Sequence, residues 1–300
     1  MTTTLRPMST SEILDRAFSL YRNNFALFAG IAMLPAVLKL IFDFVQLSST
    51  MNTLRVTTIG LDNRGSQTSA FGGPFLLLLI YLLGTVIATG ATVYAVSKVY
   101  LGRSATIGGS YNAIGRDIPR LIGIFLLLVV VFVGAGIVVL GIPMFAAISA
   151  GSPSLLIVLM VLGFAVLLHL YVCLCVAPTA CVVENIGVIQ SFNRSQSLTK
   201  GSRGRIWLVF LLYGVLSLAL GLAIGVAAAA IIRATHSLTA GAIFLIAGQF
   251  LVAVLLGPIT TVPLILIYYD QRVRKEAFDL QLMMESLSEN PNQAAAAPVG

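Results

Sequence analysis

Lys39 and Asp43 are the side chains best placed for chemistry: both are ionisable, both lie inside the first long apolar stretch, and four residues separate them. That spacing puts them on one face of a helix. Gln249 adds a polar group inside a distant apolar stretch. Ionisable groups within a membrane mark polar sites or paths by default, so Lys39, Asp43 and Gln249 define a candidate intramembrane polar site. The favoured reading is local. At about 1.5 Å per residue from Phe25, Lys39 lies roughly 21 Å along its helix, where a lysine stem can snorkel to the interface.

Other groups carry weaker chemistry. His169 and Cys173 share a helix face, with Cys175 and Cys181 nearby, and these are acceptable soft-metal ligands. No second ligand cluster accompanies them, and cysteine packs well as a small hydrophobe. Structural packing and no bound metal or other cofactor are therefore expected. Three cysteines in one apolar run also do not form a secreted disulfide framework. The chain has no His-Glu-x-x-His, no Gly-x-Ser-x-Gly elbow and no phosphate-binding loop of the Walker type. A non-enzymatic protein is expected.

The elements that must position these groups follow from composition. Hydrophobic residues make up 58% of the 300 and charged residues only 10%, against about half and a quarter in soluble domains. Six stretches reach the roughly 20 apolar residues that a spanning helix needs: 25–47, 74–97, 121–148, 155–183, 206–232 and 242–269. The fold class is all-α, a polytopic membrane protein. Pro35, Pro178, Pro258 and Pro263 are the candidate kinks, and Pro258, Thr260, Thr261 and Pro263 make the sixth helix the first candidate for a break, with a kink needed only for packing the commoner outcome.

Of the 18 lysines and arginines, fourteen fall in the two termini and in loops 98–120 and 184–205. Arg55, Arg64 and Arg233 lie on the other side, and Lys39 lies within a span. This asymmetry places both termini in the cytoplasm. Arg22, Arg116, Arg194, Lys200, Arg203 and Arg205 form an expected rim for anionic lipid headgroups, with Glu184, Asn185 and Asp270 closing the adjoining spans. Short basic loops at a membrane surface also explain the net charge of +7 without nucleic acid.

Ser9 and Glu12 have capping-box spacing. Ile13, Leu14, Ala17, Phe18 and Tyr21 follow on one face of an amphipathic interfacial helix. This segment recurs. LDRAFSLYRN at Leu14–Asn23 matches FNRSQSLTKG at Phe192–Gly201, and GGSYNAIGRD at Gly108–Asp117 is a weaker copy. Each leads into a span, so the chain reads as three related hairpins entered through surface segments. Its parts are an N-terminal segment 1–24, a six-helix domain 25–269, and a segment 270–300. The last holds a second surface helix through Val273, Ala277, Leu280 and Met284, with Arg272–Glu276 and Lys275–Asp279 pairs, and a disordered tail from Ser288.

The stretches LRPMSTSEILDRAFSLYRNNF, VVENIGVIQSFNRSQSLTKGSRGRIW and LILIYYDQRVRKEAFDL together resemble the bacterial integral membrane domain named after glycerophosphoryl diester phosphodiesterases, over most of residues 5–282. The resemblance implies a stand-alone membrane domain in a bacterial inner membrane. A catalytic domain of that type needs a soluble barrel with a metal site of glutamates, aspartate and histidines, and this chain has two histidines and no room for the barrel. The favoured expectation is a module that scaffolds or anchors lipid or protein partners, in the membrane or the cytoplasm. The competing one is a permease or channel component with a polar path past Lys39, Asp43 and Gln249.

Overall fold

In the computed structural model, residues 7–59, 67–149, 151–277 and 284 are described. The described residues contain helices and no strand. Six helical stretches are long and apolar enough to cross a membrane, and the chain is an all-α polytopic membrane protein. The apolar side chains facing outward from them, such as Val130 at 67% exposed and Phe145 at 76%, fit lipid as the surrounding solvent.

Helix α1 (Thr10–Asn23) leads into α2 (Phe25–Ile59), and α3 (Gln67–Tyr100) returns. Helix α4 (Ile107–Ala113) leads into α5 (Ile118–Gly136), which continues through a π-helical segment, Ile137–Gly141, into α6 (Ile142–Ser149). The chain returns through α7 (Pro153–Leu174) and α8 (Ala177–Glu184). Helix α9 (Val188–Thr199) then leads into the last hairpin, α10 (Arg203–Thr235) and α11 (Leu238–Glu276). Thus a short helix precedes the first, third and fifth spans. Each also packs on the end of an even-numbered span: α1 on α11, α4 on α3, and α9 on α8. We call this the basic end.

Local chemistry explains the short helices. The Ser9 side chain accepts from the Glu12 N–H at 3.3 Å while the Glu12 carboxylate accepts from the Ser9 N–H at 2.7 Å, which satisfies two donors at the start of α1. Ile13 and Ala17 are buried against the bundle, whereas Phe18 stays 44% exposed. Within the hairpins, small residues let backbones approach. A Cβ on Gly84 of α3 would overlap Leu38 of α2, and one on Gly248 of α11 would sit 2.6 Å from Ile224 of α10.

The helices differ from the apolar stretches in their ends and breaks. They outrun those stretches at nearly every end, as where α2 continues through residues 48–59 and α11 through residues 270–276. The sixth helix does not break: Pro258 and Pro263 lie inside a continuous α11. The break falls in the fourth span, between Leu174 and Ala177, where the Pro178 ring lacks an N–H and crowds the preceding turn. The expected second surface helix falls mostly on residues 278–283, outside the described residues; before them α11 runs on without interruption past 269, and Met284 is helical. Nothing between Asp270 and Glu276 stops α11, which ends at Ala277 with φ 49°, a left-handed terminator. The Arg272–Glu276 pair forms on that extension at 3.2 Å. Arg6, Arg64, Leu280, Asp279 and the tail from Ser288 lie outside the described residues.

Candidate functional site

Lys39, Asp43 and Gln249 meet. The Lys39 ammonium donates to Asp43 Oδ2 at 2.5 Å and to Gln249 Oε1 at 2.9 Å, which ties α2 to α11. Lys39 also lines a cavity of ≈ 460 Å³ whose walls come from all six spans. That volume lies within the range of roughly 300–1,000 Å³ typical of small-molecule sites.

Prolines and threonines shape the cavity. Pro35, Pro178 and Pro258 all line it. A proline inside a helix removes one N–H and frees the carbonyl four residues earlier, and in a membrane such a carbonyl needs another partner. For Pro35 that carbonyl belongs to Ile31, and the Tyr111 hydroxyl of α4 donates to it at 2.8 Å. In the turn before Pro258, the Leu255 carbonyl accepts from the Tyr21 hydroxyl of α1 at 2.9 Å. At the break before Pro178, the Cys173 carbonyl accepts from Ser195 of α9 at 2.8 Å and from Thr199 at 3.5 Å. Each short helix therefore puts a hydroxyl on a backbone carbonyl of a proline-bearing span. Sequence reading missed these roles. The available signal was a hydroxyl residue in each surface helix opposite a span with an internal proline.

Removing one cap should be measurable. Tyr111→Phe leaves the buried Ile31 carbonyl without its partner, and an unsatisfied buried group costs about 1–3 kcal/mol. Thermal unfolding in detergent micelles should show destabilisation, whereas Tyr94→Phe, next to Lys98 rather than on a carbonyl, should show little.

The cavity wall is unevenly polar. Thr85, Thr89 and Thr92 donate back to their own helix at 2.9, 2.8 and 2.8 Å. Their oxygens keep accepting capacity. Tyr81, Tyr171, Tyr213 and Thr179 also line the cavity, and among the described residues their hydroxyls make no hydrogen bond. Apolar contacts from Leu82, Val86, Ile124, Phe125 and Phe210 fill the rest. Unpaired hydroxyls away from water are unfavourable by a few kcal/mol each, so this surface suits water or a polar ligand better than lipid tails.

At the basic end, carboxylates organise the arginines. Asp270 is 1% exposed and accepts from the Met8 N–H at 2.7 Å, Arg205 at 2.7 Å and Arg274 at 2.9 Å. Arg274 also donates to the Met8 carbonyl at 2.7 Å. Glu184 accepts from both Arg194 and the Tyr268 hydroxyl, at 2.8 and 2.7 Å, and Arg194 reaches Glu276 at 2.7 Å. The Glu276 contact first, and Glu184 after it, hold the Arg194 guanidinium above its ordinary pKa against the opposing cost of burial. Lys275 donates to the Ser197, Leu198 and Lys200 carbonyls at the end of α9.

The six expected rim residues therefore separate. Arg194 and Arg205 serve internal carboxylates, while Arg22, Arg116 and Lys200 are exposed. Arg203 lies 3.5 Å from His169 Nε2, and its Nε is buried without a partner. His169 and Cys173 approach to 3.8 Å, and among the described residues no group of three or more His, Cys, Asp or Glu converges on a metal position.

Residues 70–288 match a family model described as a domain of unknown function, DUF8558. That match covers most of the chain, and the protein belongs to this family. Comparison with curated proteins and with solved structures gave no match.

Proposed function

We propose that this member of the family is a non-enzymatic membrane-embedded binding module, acting as a permease or channel component, whose six spans surround a polar cavity. The observation that carries the reading is the combination of a ≈ 460 Å³ space inside the spans with Lys39 and four unpartnered hydroxyls on its wall. A helix bundle serving only as an anchor has no use for prolines in three spans around one hollow, or for surface helices whose hydroxyls bond to carbonyls of those spans. The asymmetry of lysine and arginine supports an orientation with the basic end in the cytoplasm, and the resemblance of the sequence supports a bacterial inner membrane. A scaffolding role draws its separate support from exposed Arg22, Arg116 and Lys200, which are available to anionic headgroups.

A thiol at Thr89 tests the cavity reading. With the three native cysteines replaced by alanine, a membrane-impermeant thiol reagent should modify Thr89→Cys in the folded protein.

A further inference from the structure

We infer that the cavity takes an amphipathic monoanion, a molecule with one carboxylate or equivalent singly charged group on an apolar body. The inference rests on the binding-module reading and specifies the ligand of that same site. Its evidence is the distribution of charge and hydroxyls on the wall.

Among the described residues that line the cavity, Lys39 alone is charged. Its counter-charge, Asp43, is not part of the wall, so the ion pair presents its positive end to the cavity and its negative end away from it. An ammonium has three donors. Asp43 and Gln249 take two of them, and the third has no partner among the described residues. Between walls of protein, mostly apolar, the attraction between that end and an anion is stronger than in bulk water. A cation would meet the ammonium with no carboxylate to offset it. A dianion would place two charges against one donor group that is already paired.

The neutral part of the wall sets the rest of the ligand. Tyr81, Tyr171, Tyr213 and Thr179 supply hydroxyls without partners, which can donate to the oxygens of a carboxylate or of a linked polar group. Between them the surface is aliphatic or aromatic, as at Phe125 and Phe210. A fully polar solute would leave that surface unmatched, and a plain hydrocarbon would leave the hydroxyls unpaired.

The test uses the full chain in nanodiscs of neutral phosphatidylcholine with three fluorescent medium-chain probes: a carboxylic acid, its methyl ester and the corresponding primary amine. The acid should bind roughly tenfold tighter than the ester, and the amine more weakly than both. Lys39→Met should erase the preference for the acid while ester binding persists. Asp43→Asn should tighten acid binding. Excess acetate should fail to displace the acid. Equal binding of acid and ester, tighter binding of the amine, or an acid preference that survives Lys39→Met would overturn the anionic class and leave the cavity reading standing. Displacement by acetate would overturn the amphipathic part. No binding of any probe to the wild-type chain would overturn both.

Discussion

Asp270→Ala should destabilise the protein more than any other single change at the basic end, by about 3 kcal/mol. Asp270 is the shared acceptor for the Met8 backbone N–H and for two arginines, and its side chain is fully buried. Removing it leaves Arg205 and Arg274 facing each other beside a backbone N–H that has lost its partner. Arg205 and Arg274 remain 26% and 36% exposed on their side chains, so water offsets part of the loss. That is why the lower end of the range for a broken buried pair applies. The lone tryptophan, Trp207, packs against the apolar core that includes Met8 and Tyr269 and reports unfolding by fluorescence during titration with a denaturing detergent. The double variant Asp270→Leu with Arg205→Met should recover part of the loss, since exchanging a buried ion pair for apolar groups is often neutral. A change below about 1 kcal/mol for Asp270→Ala would show that the N-terminal segment is held by other contacts.

Arg194→Met should release α9 from the ends of the spans. Arg194 joins Glu184, at the end of the fourth span, to Glu276, at the end of the sixth. Without it two carboxylates share the remaining cation of Arg272, which lies 3.8 Å from Glu184 and 3.2 Å from Glu276. The expected loss is about 2 kcal/mol, within the range for hydrogen bonds to charged groups. It should appear as faster amide exchange across Val188–Thr199 and around the Cys173 carbonyl that Ser195 caps. Arg194→Lys should recover only part of the protection, because a lysine cannot reproduce the forked contact with both carboxylates. Unchanged exchange in Arg194→Met would mean that the Lys275 contacts hold α9 alone.

The sequence made some of this legible and concealed the rest for physical reasons. Spans are visible because hydropathy is a local property of about 20 residues. The trio of Lys39, Asp43 and Gln249 is visible because polar residues stand out against apolar surroundings, although the joining of α2 to α11 by Gln249 is a tertiary fact. The cavity was not legible. Its wall is assembled from short arcs of six helices, and the threonines that line it look like ordinary helix residues bonding back to their own carbonyls. Prolines announced distortion but not its outcome. Two of them in α11 left a continuous helix, while Pro178, beside the Cys175–Val176 turn, accompanied a break.

The basic loops show the same limit. Arg194 and Arg205 count as positive charges in a sequence, yet their partners Glu276 and Asp270 are 82 and 65 positions away. Charge asymmetry fixes which residues share an end. It does not say which of them remain available to lipid, and the structure leaves Arg22, Arg116 and Lys200 exposed while binding Arg194 and Arg205 internally.

The central claim is that water reaches the interior of the bundle, and the labelling of Thr89→Cys tests it most directly when compared with two other single cysteines in the same background. Thr235→Cys lies at the exposed end of α10, and Val130→Cys lies on an apolar face that is 67% exposed. The account predicts that an impermeant thiol reagent modifies Thr89→Cys and Thr235→Cys but spares Val130→Cys. Modification of Thr235→Cys alone, with Thr89→Cys as inert as Val130→Cys from both sides of the membrane, would contradict it.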